Sequence, residues 1–315
     1  MEQLKIVFMG TPDFAVGILD AIYQKNYTIV GVITAADKPA GRGQKIQYSA
    51  VKQYALEKGL NLLQPANLKD EAFISELKSL DANLQVVVAF RMLPEVVWRM
   101  PKLGTFNLHA SLLPQYRGAA PINWAVINGE EKTGVTTFFI DDKIDTGAMI
   151  LRAETEIGTE ESAGELHDRL MALGKDTVIK TLTLIEHGNV QTTIQPQDDD
   201  VKTAYKLNKD NCKIDWTKPG IEIFNLIRGL SPYPAAWTFI KDNGQEWSVK
   251  IYSSKFTAEE HSYSTGRILC DKKEIKVAVK DGFVVILSLQ LPGRKKMTVK
   301  ELLNGTAFSD NAKAF

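Results

Sequence analysis

The sequence predicts an α/β protein, a doubly wound and mostly parallel sheet followed by a smaller β-barrel. Three observations carry this. Short apolar runs alternate with stretches of helical periodicity through residue 186. Past residue 205 the pattern becomes short strands broken by turn residues. The charge changes sign at the same place: residues 206–315 carry 18 Lys/Arg against 12 Asp/Glu, a net of +6, and residues 1–205 carry 20 against 26, a net of −6.

In chain order, residues 4–9 form an apolar run ending at Gly10, the pattern of a buried parallel strand entering a turn. Residues 13–24 follow as a helix with Phe14, Ile18, Leu19 and Ile22 on one face. Residues 28–33 are a second strand, 49–58 a helix, 60–63 a strand and 69–79 a helix. The run 84–90 is the most strand-like in the chain. Thr105 to His109 is a further strand, 118–127 a helix, and 134–140 a β-branched and aromatic strand. Residues 162–186 are a long amphipathic helix with Leu166, Leu170, Leu173, Val178, Ile179 and Leu182 at helical intervals. Residues 189–205 lose apolar periodicity and read as a linker. Residues 219–230 are helical, and 235–289 alternate as strands broken at Asp242-Asn243-Gly244, Gly266 and Asp281-Gly282. The expected domains are therefore 1–188, a linker at 189–205, and 206–315.

Composition narrows the function classes. A chain of 315 residues buries a sizeable core without staples, and Cys212 and Cys270 have neither metal nor redox spacing. The four histidines, at 109, 167, 187 and 261, show no ligand spacing, so no metal is expected. The apolar run at the N-terminus is too short for a signal peptide or membrane span, and a cytoplasmic monomer without membrane contact is the expectation. A basic C-terminal third is what a polyanion partner selects, and also what a lysine-rich β-domain carries by chance.

The chemistry-bearing stretch is Phe106-Asn107-Leu108-His109-Ala110-Ser111-Leu112-Leu113-Pro114, continuing Gln115-Tyr116-Arg117-Gly118. Residues i and i+2 of a strand point the same way, so Asn107 and His109 project together from a strand end, where open α/β sheets bind ligands. An amide and an imidazole can stabilise a developing oxyanion, and the imidazole can move a proton. By itself the pair also suits a turn cap. The second piece is Asp145-Thr146-Gly147 after the strand 134–140, whose carboxylate can orient the imidazole or accept a proton; by itself it is good turn chemistry. Gly10 and Gly17 are too far apart for a dinucleotide fingerprint, which disfavours a nicotinamide enzyme.

Taken together and in this order, these motifs resemble the folate-dependent formyltransferase family. The resemblance implies a Rossmann-like formyltransferase domain and a catalytic trio of Asn107, His109 and Asp145. It implies 10-formyltetrahydrofolate as donor, with tetrahydrofolate as product, in a site shaped by Ser111, Leu112, Leu113 and Pro114 and flanked by Phe90, Met92 and Leu93. The opening Phe8-Met9-Gly10-Thr11-Pro12-Asp13-Phe14-Ala15, the basic loop 34–50 and the ending Leu291 to Met297 resemble the branch whose acceptor is initiator methionyl-tRNA. For that branch the resemblance implies a barrel of oligonucleotide-binding type, with tRNA contacts from Lys38, Arg42, Lys45, Lys206, Arg294, Lys295 and Lys296. Trp216, Trp237 and Tyr233 are either base-stacking or core aromatics. Two departures stand out. Arg91 lies beside the expected pterin pocket, and Asp142-Lys143-Ile144 precedes Asp145 where Gly-Leu is common. Two rival readings remain: formyl transfer to an amino-sugar nucleotide, and a non-catalytic tRNA-binding protein on the same scaffold.

Overall fold

The computed structural model describes residues 3–40, 45–196 and 200–315. They form two compact units, Met1–Gly118 with Thr133–Thr155 and His167–Thr203, and Ala119–Lys132 with Glu156–Leu166 and Ala204–Phe315.

The first unit is built on a seven-stranded sheet. Its strands and helices begin β1 (Lys5–Gly10), α1 (Asp13–Gln24), β2 (Thr28–Ile33), β3 (Lys38–Ala40), β4 (Lys45–Gln47), α2 (Ala50–Glu57), β5 (Leu62–Leu63), α3 (Glu71–Ser79), β6 (Leu84–Val88) and α4 (Glu95–Trp98). They continue β7 (Thr105–His109), β8 (Arg117–Gly118), α5 (Pro121–Ile127), β9 (Lys132–Phe139), β10 (Met149–Glu156), α6 (Ala163–Glu186) and β11 (Thr203–Ala204), with α5 belonging to the second unit. The sheet order is β10-β9-β7-β6-β1-β2-β5. β1 runs parallel to β2 and β6, β2 to β5, and β6 to β7, whereas β9 returns antiparallel to β7. The doubly wound, mostly parallel expectation is met. β1 and β6 are buried along nearly their whole length, as central parallel strands covered on both faces must be.

Local chemistry sets the element ends. Ser49 accepts the Lys52 amide and Asp70 the Phe73 amide, each capping a helix start. A Cβ on Gly10 would stand 2.5 Å from that of Ala15 and 3.0 Å from the Val88 carbonyl, so only glycine lets β1 pass this closely into α1. β6 stops at Val88, not Phe90, because Ala89 turns the chain at φ +47°. The helix expected from residue 118 starts at Pro121, which occupies its first turn. Within the basic loop 34–50, β3 and β4 pair as a hairpin, Lys38 opposite Gln47. β10 was not legible: its burial alternates only along Leu151–Glu156, with charged residues on the open face.

The second unit carries α7 (Gly220–Gly229), β12 (Ala236–Asp242), β13 (Gln245–Ala258), β14 (Ile268–Cys270), β15 (Ile275–Val279), β16 (Gly282–Gln290), β17 (Met297–Thr298), α8 (Val299–Leu303) and β18 (Lys313–Ala314). β12 and β13 join through Asn243-Gly244, both at positive φ, the two-residue hairpin turn that matches strand twist. The antiparallel order is β14-β15-β16-β13-β12-β18, and Arg267 bridges to Lys313 with Ile268 donating to the Ala312 carbonyl. Those bonds bring the two edges together into a nearly closed barrel, which removes exposed strand edges. Its core gathers Trp216, Ile223, Ile227, Val249, Ile251, Val277, Val284, Ile286 and Leu302.

Candidate active site

β7 delivers Asn107 and His109 at the end of the sheet. His109 is 6 % exposed and its Nε2 lies 2.8 Å from the Tyr116 carbonyl, which can only accept, so Nε2 carries a proton. That leaves Nδ1 facing the Asp145 carboxylate, 3.8 Å from Oδ2. The separation is an ion-pair distance, too long for a direct hydrogen bond. The bond that orients the imidazole therefore comes from Tyr116, and Asp145 meets its other edge as a charge. Asp145 Oδ2 is itself fixed by the Gly118 amide at 2.9 Å. Asn107 Oδ1 is buried without a hydrogen-bond partner. A buried acceptor left unmade costs about 1–3 kcal/mol, and an N–H donor from a bound molecule would satisfy it.

Two residues beside His109 adopt left-handed backbone, Tyr116 at φ +61° and Asp145 at φ +55°. Such conformations persist where their surroundings over-determine them. Gly147 is part of that constraint: a Cβ there would stand 1.7 Å from the Phe139 carbonyl. The departure at Asp142-Lys143-Ile144 is absorbed by Asp141, whose carboxylate accepts from the Lys143 amide and the Thr146 hydroxyl.

The segment 111–114 is a tight turn. Ser111 is fully buried and donates its hydroxyl to the Gln115 carbonyl at 2.6 Å; Thr136 donates to the Ser111 carbonyl and accepts from the Leu113 amide. Leu113 packs on Phe138 and Met149, Arg152 donates to its carbonyl, and Leu112 and Pro114 are half-buried. Of the flanking trio, Leu93 is buried, Phe90 half-buried and Met92 70 % exposed. Arg91 turns away, donating to the Pro65 and Ala66 carbonyls.

Lys206, Arg294, Lys295 and Lys296 are exposed on the second unit, with the Lys296 ammonium 4.8 Å from the Tyr252 ring. Lys38 and Lys45 are backbone members of the β3–β4 hairpin, and Arg42 lies outside the described residues. The aromatics divide. Trp216 is core, its indole N–H held by Thr238; Tyr233 is 82 % exposed; Trp237 is half-buried between the Lys209 and Lys213 ammonium groups, 5.2 and 5.8 Å from its ring. Sequence reasoning missed Tyr116, Thr136 and Gln195 as parts of the site. They act through backbone atoms or across long sequence separations, and no local pattern announces that.

Among the described residues no helix is long and apolar enough to cross a membrane, and no cluster of three or more His, Cys, Asp or Glu side chains forms a metal site.

An Asn-x-His strand end facing an Asp-Thr-Gly loop, on a parallel sheet joined to a barrel, is the architecture of a formyl-transferring enzyme. The chain belongs to the formyl transferase family: residues 4–182 match the formyl transferase model and residues 206–307 the formyl transferase C-terminal domain. It is 71 % identical over 315 residues to a methionyl-tRNA formyltransferase of Flavobacterium johnsoniae, covering 100 % of both chains. It is 54 % identical to that of Bacteroides thetaiotaomicron, covering 99 % of this chain and 98 % of the relative. Among solved structures it resembles an N-formyltransferase from Helicobacter canadensis in complex with folinic acid and dTDP-3-aminofucose. The TM-score is 0.64 at 23 % identity, covering 93 % of this chain and 100 % of the other, a likeness of fold.

Proposed function

We propose that this chain transfers the formyl group of 10-formyltetrahydrofolate to the amino group of initiator methionyl-tRNA. The products are N-formylmethionyl-tRNA, for translation initiation, and tetrahydrofolate. The reading rests on full-length kinship to methionyl-tRNA formyltransferases and on one observation above all, the buried and unpartnered Oδ1 of Asn107 on the strand face that also presents His109. Residues 1–188 carry the chemistry, 189–205 connect, and 206–315 hold the tRNA. The enzyme works in the cytoplasm as a monomer.

In the proposed reaction the neutral methionyl amine attacks the formyl carbon. Asn107 Oδ1 accepts an amine N–H, and its amide nitrogen stabilises the oxygen that becomes negative. Asp145 takes the proton the amine loses and shares it with His109 Nδ1 3.8 Å away, whose N–H then also stabilises that oxygen. The C–N bond to the folate nitrogen then breaks, and that nitrogen leaves with this proton. Ser111 to Pro114, with Phe90, Met92 and Leu93, shape the folate site. Lys38, Arg42, Lys45, Lys206, Arg294, Lys295 and Lys296 contact the tRNA phosphates.

The test is formyl transfer from 10-formyltetrahydrofolate to charged initiator methionyl-tRNA, wild type against His109→Ala. Product with the first and almost none with the second supports the reading. A folded wild type that forms no product would move the acceptor to amino-sugar nucleotides, whose binding would show far weaker salt dependence than a tRNA.

A further inference from the structure

We propose that Gln195, in the segment joining the two domains, is a positioning residue that fixes the catalytic geometry of Asp145. The inference rests on the catalytic reading of Asp145 above. Gln195 is 4 % exposed, unusual for a glutamine in a stretch without apolar periodicity. Its carboxamide is fully used. Nε2 donates to the Asp145 carbonyl at 2.9 Å and to the Gly147 carbonyl at 2.8 Å. Oε1 accepts from Arg117 Nε at 3.1 Å and Nη2 at 2.7 Å, a charge-assisted fork.

This one side chain ties together the two strands of backbone that build the site. On one side is the Asp-Thr-Gly loop, with Asp145 held at φ +55°. On the other is the 116–118 turn, where the Tyr116 carbonyl orients His109 and the Gly118 amide fixes the Asp145 carboxylate. The Asp-Thr-Gly loop has no regular structure to hold it, and left-handed backbone at a non-glycine residue reverts unless it is constrained. The neighbouring chain is tied down as well. Thr193 and Met149 exchange both backbone hydrogen bonds, and Lys202 accepts from the Tyr116 amide while donating to the Gln115 side chain. Thr193, Gln195 and Lys202 thus belong to the active-site wall.

The experiment is steady-state formyl transfer by full-length Gln195→Met, Gln195→Glu, Asp145→Asn and the Gln195→Met/Asp145→Asn double variant, each checked for a cooperative thermal melt. Methionine keeps the volume and removes every hydrogen bond; glutamate keeps the pairing with Arg117 and loses both donations to the loop. Both variants are expected to lower kcat about 10- to 100-fold. KM for folate and for acceptor should stay within about two-fold. If Gln195 acts only through Asp145, the double variant is no slower than Asp145→Asn alone. Wild-type kcat in Gln195→Met, a change confined to KM, or losses that multiply in the double variant would each overturn the positioning role. Near-normal turnover in Asp145→Asn would instead overturn the catalytic reading and this inference with it. If Gln195→Met fails to fold, Gln195→Glu gives the same reading.

Discussion

In the parallel-sheet unit, Asn107, His109 and Asp145 are brought to one strand end, largely buried, with His109 and Asp145 held by backbone hydrogen bonds. In the barrel unit, Lys206, Arg294, Lys295 and Lys296 stand exposed to solvent. The first arrangement concentrates chemistry, so the loss of one atom is felt in full. The second spreads it over several solvated charges, and in water each is worth little by itself. Single substitutions are thus informative in one unit and sums of substitutions in the other.

The largest effect expected is on turnover in the concentrated site. Asn107→Ala or His109→Ala should lower kcat by about 10²- to 10³-fold, the usual loss for a preorganised oxyanion donor. Both variants should keep a cooperative melt, His109→Ala at a somewhat lower temperature because that side chain is buried and bonds the Tyr116 carbonyl. A near-normal rate for either variant would remove that residue from the trio.

Next comes Gly147→Ala. The added methyl collides with the Phe139 carbonyl, so the loop has to shift. A loss of about 3 kcal/mol in urea unfolding is expected, with a slower rate. Full stability with full activity would break the claim that close backbone packing pins this loop.

Smaller effects belong to the barrel. Substituting Arg294, Lys295 and Lys296 together by alanine should weaken tRNA binding and flatten the log–log salt dependence by up to about 3, against about 1 or less for Lys206→Ala. A single substitution that abolished binding would mean the barrel also has a concentrated site.

The smallest effect is at α8, just past that basic run. The Thr298 backbone and hydroxyl donate to Glu301 and hold its carboxyl below the usual range. A depressed acid stabilises the fold above its ordinary pKa, 4.5, and this contribution is lost as pH falls through the lowered value. Glu301→Gln should remove that part of the acid limb in a pH series of melts, and an unchanged limb would count against it.

Much of this was legible from residue order. Asn107 and His109 were readable as a pair because a strand repeats every two residues, and α1 (Asp13–Gln24) because Phe14, Ile18, Leu19 and Ile22 share a helical face. Asn243-Gly244 announced a hairpin turn through its preference for positive φ. Gln195 looked like part of a linker, because a polar residue in an aperiodic stretch carries no local signal. Its partners, Asp145 and Arg117, lie 50 and 78 residues away. The tautomer-setting bond from His109 to the Tyr116 carbonyl was equally hidden, since a backbone carbonyl has no residue identity.

The sequence by itself therefore determined the alternation that makes a parallel sheet, the turn residues of the barrel, the charge contrast between residues 1–205 and 206–315 and the residue types of the site. Periodicity, backbone preference and side-chain chemistry are local, and they are written in residue order. Only the tertiary structure decided that His109 is oriented by Tyr116, that Asp145 stands 3.8 Å from its other nitrogen and that a distant glutamine links both walls. Those distances depend on irregular backbone in rare conformations, held by contacts between segments far apart in the chain, and local propensity cannot specify them.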